Sequence, residues 1–515
     1  MSISPMEVDR APSERSPASV RSFPLSRRQT LLWLDEQLYP AAPYYNLVLT
    51  IDMVGPLDAP RLAQAWSTTV LTHDALRMVV DPREPRQWTR PGPPVPLAEV
   101  MLPDEPSLAA WIADNCVRPL GGQEVRHKAA LLHLPGDRHV FYLCAHHTVF
   151  DGMSARLLAE DLSEAYFGRK PSIDGSFAEY TRSEAAYQES PKGKADEAYW
   201  NGRLVPAVPP LRLYGQVRSD RSVGVATVWR DGGPKRAESL LALAAREPWK
   251  TVSPALSHLA VVATALAAFL YRASGQREVL LGMPFRNRPA PFTRTCGLLM
   301  EQIFVRLEID EQESFSSLAV KVTREVRDAI AHGRTCVSDR GLDYVALNLT
   351  PVFPRQFAGL DARFTLAPAP HWPGVHAVGQ GDQRDTFGVQ LFDFDETKLD
   401  IGLSFHAATF DELMRQRITE HFFRVLDAMV VDPGTVIDAV ELLDEGDRRE
   451  VLAVARGPEP EGAALDVVEQ FRRQVQQRPD HIAVEAPEGS FTYAQFHRLT
   501  NALAHRLRAL GVGRE

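Results

Sequence analysis

Cysteine is scarce. Cys116, Cys144, Cys296 and Cys336 are the only four in 515 residues, and none forms a CxxC pair. That spacing speaks against a structural zinc site or a disulfide framework and suits a reducing compartment, so the expected location is cytoplasmic. Dense Lys/Arg blocks are missing and the net charge is −9, which argues against nucleic acid as a partner. The N-terminus has no signal-peptide apolar core. The longest apolar run, Leu259 to Leu270, contains Thr264 and is too short to span a bilayer; it reads as a buried helix rather than a membrane insertion. His371, His376 and His406 show no metal-ligand spacing, so they read as structural or surface residues and no metal is expected. No internal sequence repeat is visible. What remains is 44% hydrophobic and 24% charged, an ordinary globular balance with enough chain for about three units.

The stretch around which this chain is organised is Ala145-His146-His147-Thr148-Val149-Phe150-Asp151-Gly152. Before it, Arg138 to Cys144 alternates, with Val140, Tyr142 and Cys144 on one side and His139, Phe141 and Leu143 on the other. A period of two in aromatic and β-branched residues predicts a strand. After it, Met153, Leu157, Leu158, Leu162 and Tyr166 recur at helical spacing. Two histidines therefore end a strand, and an aspartate and a glycine begin a helix. Local structure alone would use the histidines to end the strand and Asp151 as an N-cap. The whole HHxxxDG string points further, to acyl transfer. A neutral imidazole can take a proton from an attacking amine or hydroxyl. Backbone N–H groups at a helix start can meet a developing oxyanion, and Gly152 leaves that approach open.

Elsewhere the pattern is mixed α and β. Met1 to Arg21 is polar and Pro/Ser/Arg-containing, expected to be disordered or a docking tail. Ser26 caps a helix carrying Gln29, Leu32, Trp33 and Gln37, and Tyr39 to Pro43 breaks it. Strands are predicted over Asn46–Met53, Glu278–Gly282, Ile303–Ile309, Tyr344–Thr350, Phe387–Phe394 and Leu399–His406. Helices are predicted from Leu57 through Leu71, over Ser107–Val117 and Ala178–Tyr199, from Val252 to Tyr271, and over Phe410–Val430. The glycines of Asp231-Gly232-Gly233 mark a loop. Asp444 to Gly462 reads as a linker. The helical and strand-like pieces from Asp466 to Leu510 are too short to make a whole domain.

Several ordered motifs together resemble the condensation domains of nonribosomal peptide synthetases, from about Phe23 to Leu443. Pro24-Leu25-Ser26-Arg27-Arg28-Gln29 with Trp33 is similar to the family's opening motif, and His73-Asp74-Ala75-Leu76-Arg77 to its second. His146 to Gly152 matches its active-site motif completely, and Gly282-Met283-Pro284 with Arg288 resembles its later Gly-x-Pro-x-x-x-Arg segment. Gly297 to Arg306 corresponds to the family's Gly-x-Phe-Val-Asn segment but reads Gly-Leu-Leu-Met-Glu-Gln-Ile from Gly297, a departure expected to reshape the donor side of the pocket. Val467 to Val512, with Phe491-Thr492-Tyr493, resembles the opening of an adenylation domain whose ATP-binding motifs would lie beyond Glu515.

The resemblance implies two chloramphenicol-acetyltransferase-like lobes in a V-shaped pseudo-dimer of α/β (α+β) class, with a tunnel between them. The expected division is a tail 1–21, a first lobe 22–185, a second lobe 186–443, a linker 444–465 and a truncated adenylation segment 466–515. The implied reaction is attack of an aminoacyl amine on a donor thioester. No cofactor is bound; substrates ride on coenzyme A or on the phosphopantetheine of acyl or peptidyl carrier proteins, and an adenylation domain follows in cis. His147 is the implied catalytic group, as base or as a holder of the amine. His146 orients the turn, Gly152 serves the oxyanion, and Asp151 pairs with Arg288. Trp33, Tyr44, Leu298 and Met300 are candidates for lining the substrate channel.

Two donors fit. A starter domain takes a fatty acyl group from acyl-CoA or an acyl carrier; an elongation domain takes a peptidyl group from an upstream subunit. Trp33 to Pro40, followed by Asn46-Leu47, resembles starter domains, and no carrier sequence precedes the motif. Plant-type acyltransferases share HxxxDG but carry an Asp-Phe-Gly-Trp-Gly segment that is missing here. A heterocyclisation domain replaces the histidines, and an epimerisation domain normally follows a carrier domain. A non-catalytic scaffold that binds carrier proteins is the remaining rival; the intact His147 and Gly152 count against it.

Overall fold

The structure, a computed structural model, describes residues 22–40, 43–122, 124–216, 225–335, 342–350, 352–369, 387–392, 394, 399–456, 466–486 and 489–513. The tail 1–21, Cys336, His371, His376 and the second half of the expected linker lie outside them. The chain divides into two compact units, Met1–Leu442 and Leu443–Glu515.

The larger unit has two six-stranded sheets, each with its own core. In the first sheet Arg138–His146 is flanked by Asn46–Val54 and His127–Leu134, both antiparallel to it. Both of its faces are covered. Phe141, Leu143 and Ala145 join a core with Trp66, Leu158 and Leu162, whereas Val140, Tyr142 and Cys144 pack with Leu108 and Ile112. Burying a large apolar side chain contributes about 1.5–3 kcal/mol, so the alternating residues fix the strand's register as well as its existence. The helix Gly152–Tyr166 lies in the same core as Ala59–Thr72, whose N-cap is Asp58. Cys116, Cys144 and Cys296 are buried and unpaired.

The second sheet runs, in spatial order, Glu301–Glu308, Glu278–Phe285, Val345–Leu349, Phe387–Phe392, Asp400–His406 and Val225–Asp231. At its core lies Pro254–Ser274, capped by Ser253 and ended by left-handed Gly275. This helix is long and apolar enough to cross a membrane by length and composition, beyond the shorter run read from sequence, and 72% of its most apolar window is buried.

Several expectations need correction. Ala178–Tyr199 is two helices, Phe177–Glu189 and Pro191–Arg203, because Pro191 lacks the N–H that would continue the first and suits the opening turn of the second. Asp231-Gly232-Gly233 is not an extended loop: the strand Val225–Asp231 passes almost directly into the helix Gly233–Ala244. Part of the expected linker, Glu445–Arg456, is helical. The lobes are not contiguous in sequence either, since Gln356–Phe357 and Leu360–Pro368 belong to the first sheet, where Leu360–Pro368 pairs antiparallel with Asn46–Val54.

The smaller unit contains, after Glu445–Arg456, the helices Val467–Gln477 and Tyr493–Ala509 and the hairpin Ile482–Ala486 with Gly489–Thr492. A reciprocal Thr492/Gln495 cap starts its last helix.

Candidate active site

The motif occupies the junction that its sequence predicts. The strand ends at His146, one tight turn spans His147–Val149, and Asp151 caps the helix Gly152–Tyr166 through the N–H of Ser154. The His147 N–H donates to the Tyr45 carbonyl at 2.6 Å. Its side chain is half-buried. Nδ1 lies buried against the backbone of its own turn without a hydrogen bond of ordinary geometry, leaving Nε2 as the nitrogen that can meet a substrate. Burial, followed by smaller opposing effects of Asp151 and the backbone, holds the imidazole below its ordinary 6.5. At neutral pH it is therefore the uncharged form that can accept a proton or a hydrogen bond.

His146 has a different environment. Its Nδ1 lies 2.8 Å from Thr148 Oγ1, and it accepts from the Thr148 N–H at 3.2 Å and from Arg126 Nη1 at 3.3 Å. Burial first, then the charge of Arg126, keeps it neutral well below 6.5. Arg126 is in turn held by Glu36 at 2.8 Å. With Nδ1 occupied in this way, His146 ties the turn together.

Asp151 binds three parts of the chain. Oδ1 accepts from Arg288 Nη2 at 2.7 Å and from the Ser154 N–H at 2.8 Å. Oδ2 accepts from the Leu299 and Met300 N–H groups, each at 3.0 Å. Burial opposes its charge, but Arg288 and the backbone donors together hold the carboxyl below the usual range. The segment that departs from the family pattern thus meets Asp151 through backbone groups, which any side chain supplies. Gly297 is the exception: its φ is +148°, and an added Cβ would stand 2.2 Å from the Phe177 ring. Only glycine fits there.

Of the channel candidates, Trp33 and Leu298 are core residues. Trp33 packs with Leu25 and Val80 and donates its indole N–H to the Asp81 carbonyl at 2.9 Å; Leu298 is 2% exposed in the first core. Met300 is half-buried against that core. Tyr44 lines a small cleft with Tyr45, His146, Pro119 and Leu120. Sequence reasoning missed the pair Arg28–Glu301, at 2.9 Å and buried, which ties the opening helix to the second sheet. It also missed the contacts that Gln29 makes to the Thr148 carbonyl and Arg126 to His146. Ser154 was legible in principle, three residues after a capping aspartate. Among the described residues no group of three or more His, Cys, Asp or Glu is arranged to hold a metal ion.

A two-lobed fold with this turn at the end of a central strand defines an acyltransferase class, and comparison with known proteins agrees. The condensation-domain family matches residues 20–337, more than half of the chain. The chain belongs to the condensation-domain family, amide-bond-forming acyltransferases of nonribosomal peptide synthetases. It is 28% identical over 538 residues to phosphinothricin tripeptide synthetase PhsC of Streptomyces viridochromogenes, covering 98% of this chain and 48% of that protein. It is 27% identical over 523 residues to an isonitrile lipopeptide synthase of Streptomyces coeruleorubidus, covering 95% and 34%. The chain thus spans about half or less of the length of these relatives. Among solved structures, the first condensation domain of the calcium-dependent antibiotic synthetase superimposes with a TM-score of 0.70 at 24% identity, covering 82% of this chain and 99% of that one. A mutant starter condensation domain of rhizomide synthetase RzmA, in complex with C8-CoA, gives 0.69 at 21%, covering 82% and 98%. At these identities the likeness establishes the fold, two chloramphenicol-acetyltransferase-like lobes.

Proposed function

We propose that this chain is a starter condensation domain, joining a fatty acyl donor on coenzyme A or an acyl carrier to the amine of a carrier-bound aminoacyl thioester. The observation that carries acyl transfer is His147: neutral, half-buried, fixed through its backbone, with Nε2 as its available nitrogen. The amine attacks the thioester carbonyl, a C–N bond forms, the C–S bond breaks, and the amine's proton passes by way of His147 to the departing thiolate. Helix-start N–H groups at Gly152 face the oxyanion. Asp151 and Arg288 act through position, holding the helix start to the second lobe's loop. Condensation domains carry no cofactor of their own, because the thioester already supplies the activation.

The starter reading is supported by the Trp33-to-Pro40 stretch, by similarity to a starter domain described in complex with C8-CoA, and by similarity to isonitrile lipopeptide synthases. The resemblance of Val467–Val512 to an adenylation opening supports a downstream adenylation partner in cis. The test is to offer acyl-CoA and acyl-carrier donors of graded length together with a loaded aminoacyl carrier, and to weigh the product by mass spectrometry. Each buried methylene contributes about 0.8 kcal/mol, so apparent affinity should rise with chain length and then fall once the site is full. Product from a peptidyl carrier alone, and from no acyl donor, would make this an elongation domain; product from neither would favour the carrier-binding scaffold.

A further inference from the structure

We propose that Gln29 is a positioning residue for His147, acting through the Thr148 carbonyl; this rests on the reading of His147 as the catalytic group. Gln29 is fully buried in the first turn of the helix Arg27–Leu38. Its Nε2 donates to the Thr148 carbonyl at 2.8 Å and to Gln87 Oε1 at 2.9 Å. Its Oε1 accepts from the Ser26 N–H at 2.9 Å and from Gln87 Nε2 at 2.8 Å. All four hydrogen-bonding positions of the amide are therefore used. The neighbours also dictate its orientation, since a flipped amide would set NH₂ against the Ser26 N–H and oxygen against the Thr148 oxygen.

The turn being held is short. His147–Val149 is a single turn between a strand and a capped helix, and a turn of this length has no internal ladder to keep its shape. It is fixed from outside: the His147 N–H by Tyr45, the Thr148 N–H by His146 and the Thr148 carbonyl by Gln29. Removing the third contact frees the Thr148–Val149 peptide to rotate, and the short turn of which it is part then no longer fixes the backbone that carries the His147 imidazole. Gln87 is an internal control. It is equally buried and shares the amide pair, yet its own contacts are Gln29 and the Pro24 carbonyl rather than the turn.

The experiment uses the full chain with Gln29→Glu and Gln87→Leu. Glutamate at 29 keeps the Ser26 capping box, for which it is a favoured partner, while giving up the amide donor to Thr148. Gln29→Met, of matched length, serves if the glutamate variant does not fold. The expected result is a fall in kcat of about tenfold to a hundredfold for the Gln29 variant, with KM within about twofold of the parent. Gln87→Leu should lower Tm at least as much and leave kcat within about threefold, because it loosens packing without releasing the turn. Histidine ring NMR supplies a readout free of turnover: the His147 resonances should move in the Gln29 variant and stay in Gln87→Leu. Equal kcat losses in the two variants, or an unmoved His147 ring in the Gln29 variant, overturns the proposal. His147→Ala, run in parallel, separates the two claims: if it turns over normally, the catalytic reading fails, whereas the ring shift still reports on Gln29.

Discussion

The larger unit contains the motif's architecture twice. In the first lobe the strand Arg138–His146 leads through His146-His147-Thr148-Val149-Phe150 to a helix capped by Asp151. In the second lobe the strand Asp400–His406 leads through His406-Ala407-Ala408-Thr409-Phe410 to a helix, Glu412–Val431, capped by Asp411. The first histidine bonds a threonine in both, His146 to Thr148 at 2.8 Å and His406 to Thr409 at 2.7 Å. The phenylalanine is fully buried in both. Each aspartate receives the N–H three residues on, Ser154 or Met414, at 2.8 Å. What the second copy lacks is His147, replaced by Ala407, and Gly152, replaced by Glu412. Its aspartate is exposed, whereas Asp151 is buried on Arg288. The shared residues are therefore those that build a strand–turn–helix junction. The residues confined to the first copy are those acyl transfer needs.

The largest expected effect separates the copies at the histidine. His147→Ala should lower turnover by about two to four orders of magnitude, the usual worth of a positioned acid–base group, with Tm almost unchanged. Placing a histidine in the second copy, Ala407→His, should restore nothing to that variant. Retained turnover in a folded His147→Ala protein ends the catalytic assignment. The glycine comes next. Gly152→Val should cost activity with little loss of stability, since a branched side chain there obstructs approach to the helix-start N–H groups; a fully active variant would show that substrate does not approach there.

Stability should divide the two aspartates. Removing Asp151 or Arg288 leaves a buried charge alone, a loss of about 3–5 kcal/mol. Removing Asp411, an exposed cap, should cost only about 1 kcal/mol. Denaturant titration of Asp151→Ala, Arg288→Ala and the double variant should give a sum well short of additive; strict additivity would dissolve the pair.

A further effect is in pH. His127 is pushed down to about 4 by burial, and His146 and His147 also lie below 6.5. Below pH 6.5 the unfolded chain takes up protons that these folded histidines refuse, so stability falls with pH, by at most about 1.4 kcal/mol per unit for each group. Glu184, pushed up to about 7 chiefly by burial, works the other way between pH 7 and 4.5, because its folded form takes the proton first. His73 works in the same direction as Glu184: burial opposes its charge, but Cys296 and Asp161 hold it up at about 10, so its folded form is already protonated at pH 7. Three histidines held neutral outweigh these two groups, so chemical denaturation between pH 7 and 5 should show a net loss. A flat profile would mean that the histidines are not held neutral.

Much of the site was legible because it is local. The alternation before His146, the cap at Asp151 and the helical stripe after it all act within a few residues, where periodicity reports directly on structure. The Asp151–Arg288 contact came from family resemblance, since 137 residues separate the partners. Arg28 and Glu301, 273 apart, carried no local signal. At Leu298-Leu299-Met300 side-chain identity carried no signal of the contact with Asp151, because that contact is made by backbone N–H groups. The second copy carried little signal because it keeps only His406, Phe410 and Asp411 in matching positions, without the second histidine and the glycine that mark the motif.

The strand Leu360–Pro368, which completes the first sheet beside Asn46–Val54, sets a schedule for the ribosome. Its partner strand emerges about 300 residues earlier, and at about 5–20 residues per second it waits from roughly a quarter of a minute to a minute with one edge open. An open strand edge is a template for pairing with other chains. The same holds for modular engineering. A graft cut after residue 185 moves the histidine turn without the strand that closes its sheet, so a portable first lobe has to carry the 356–368 hairpin with it.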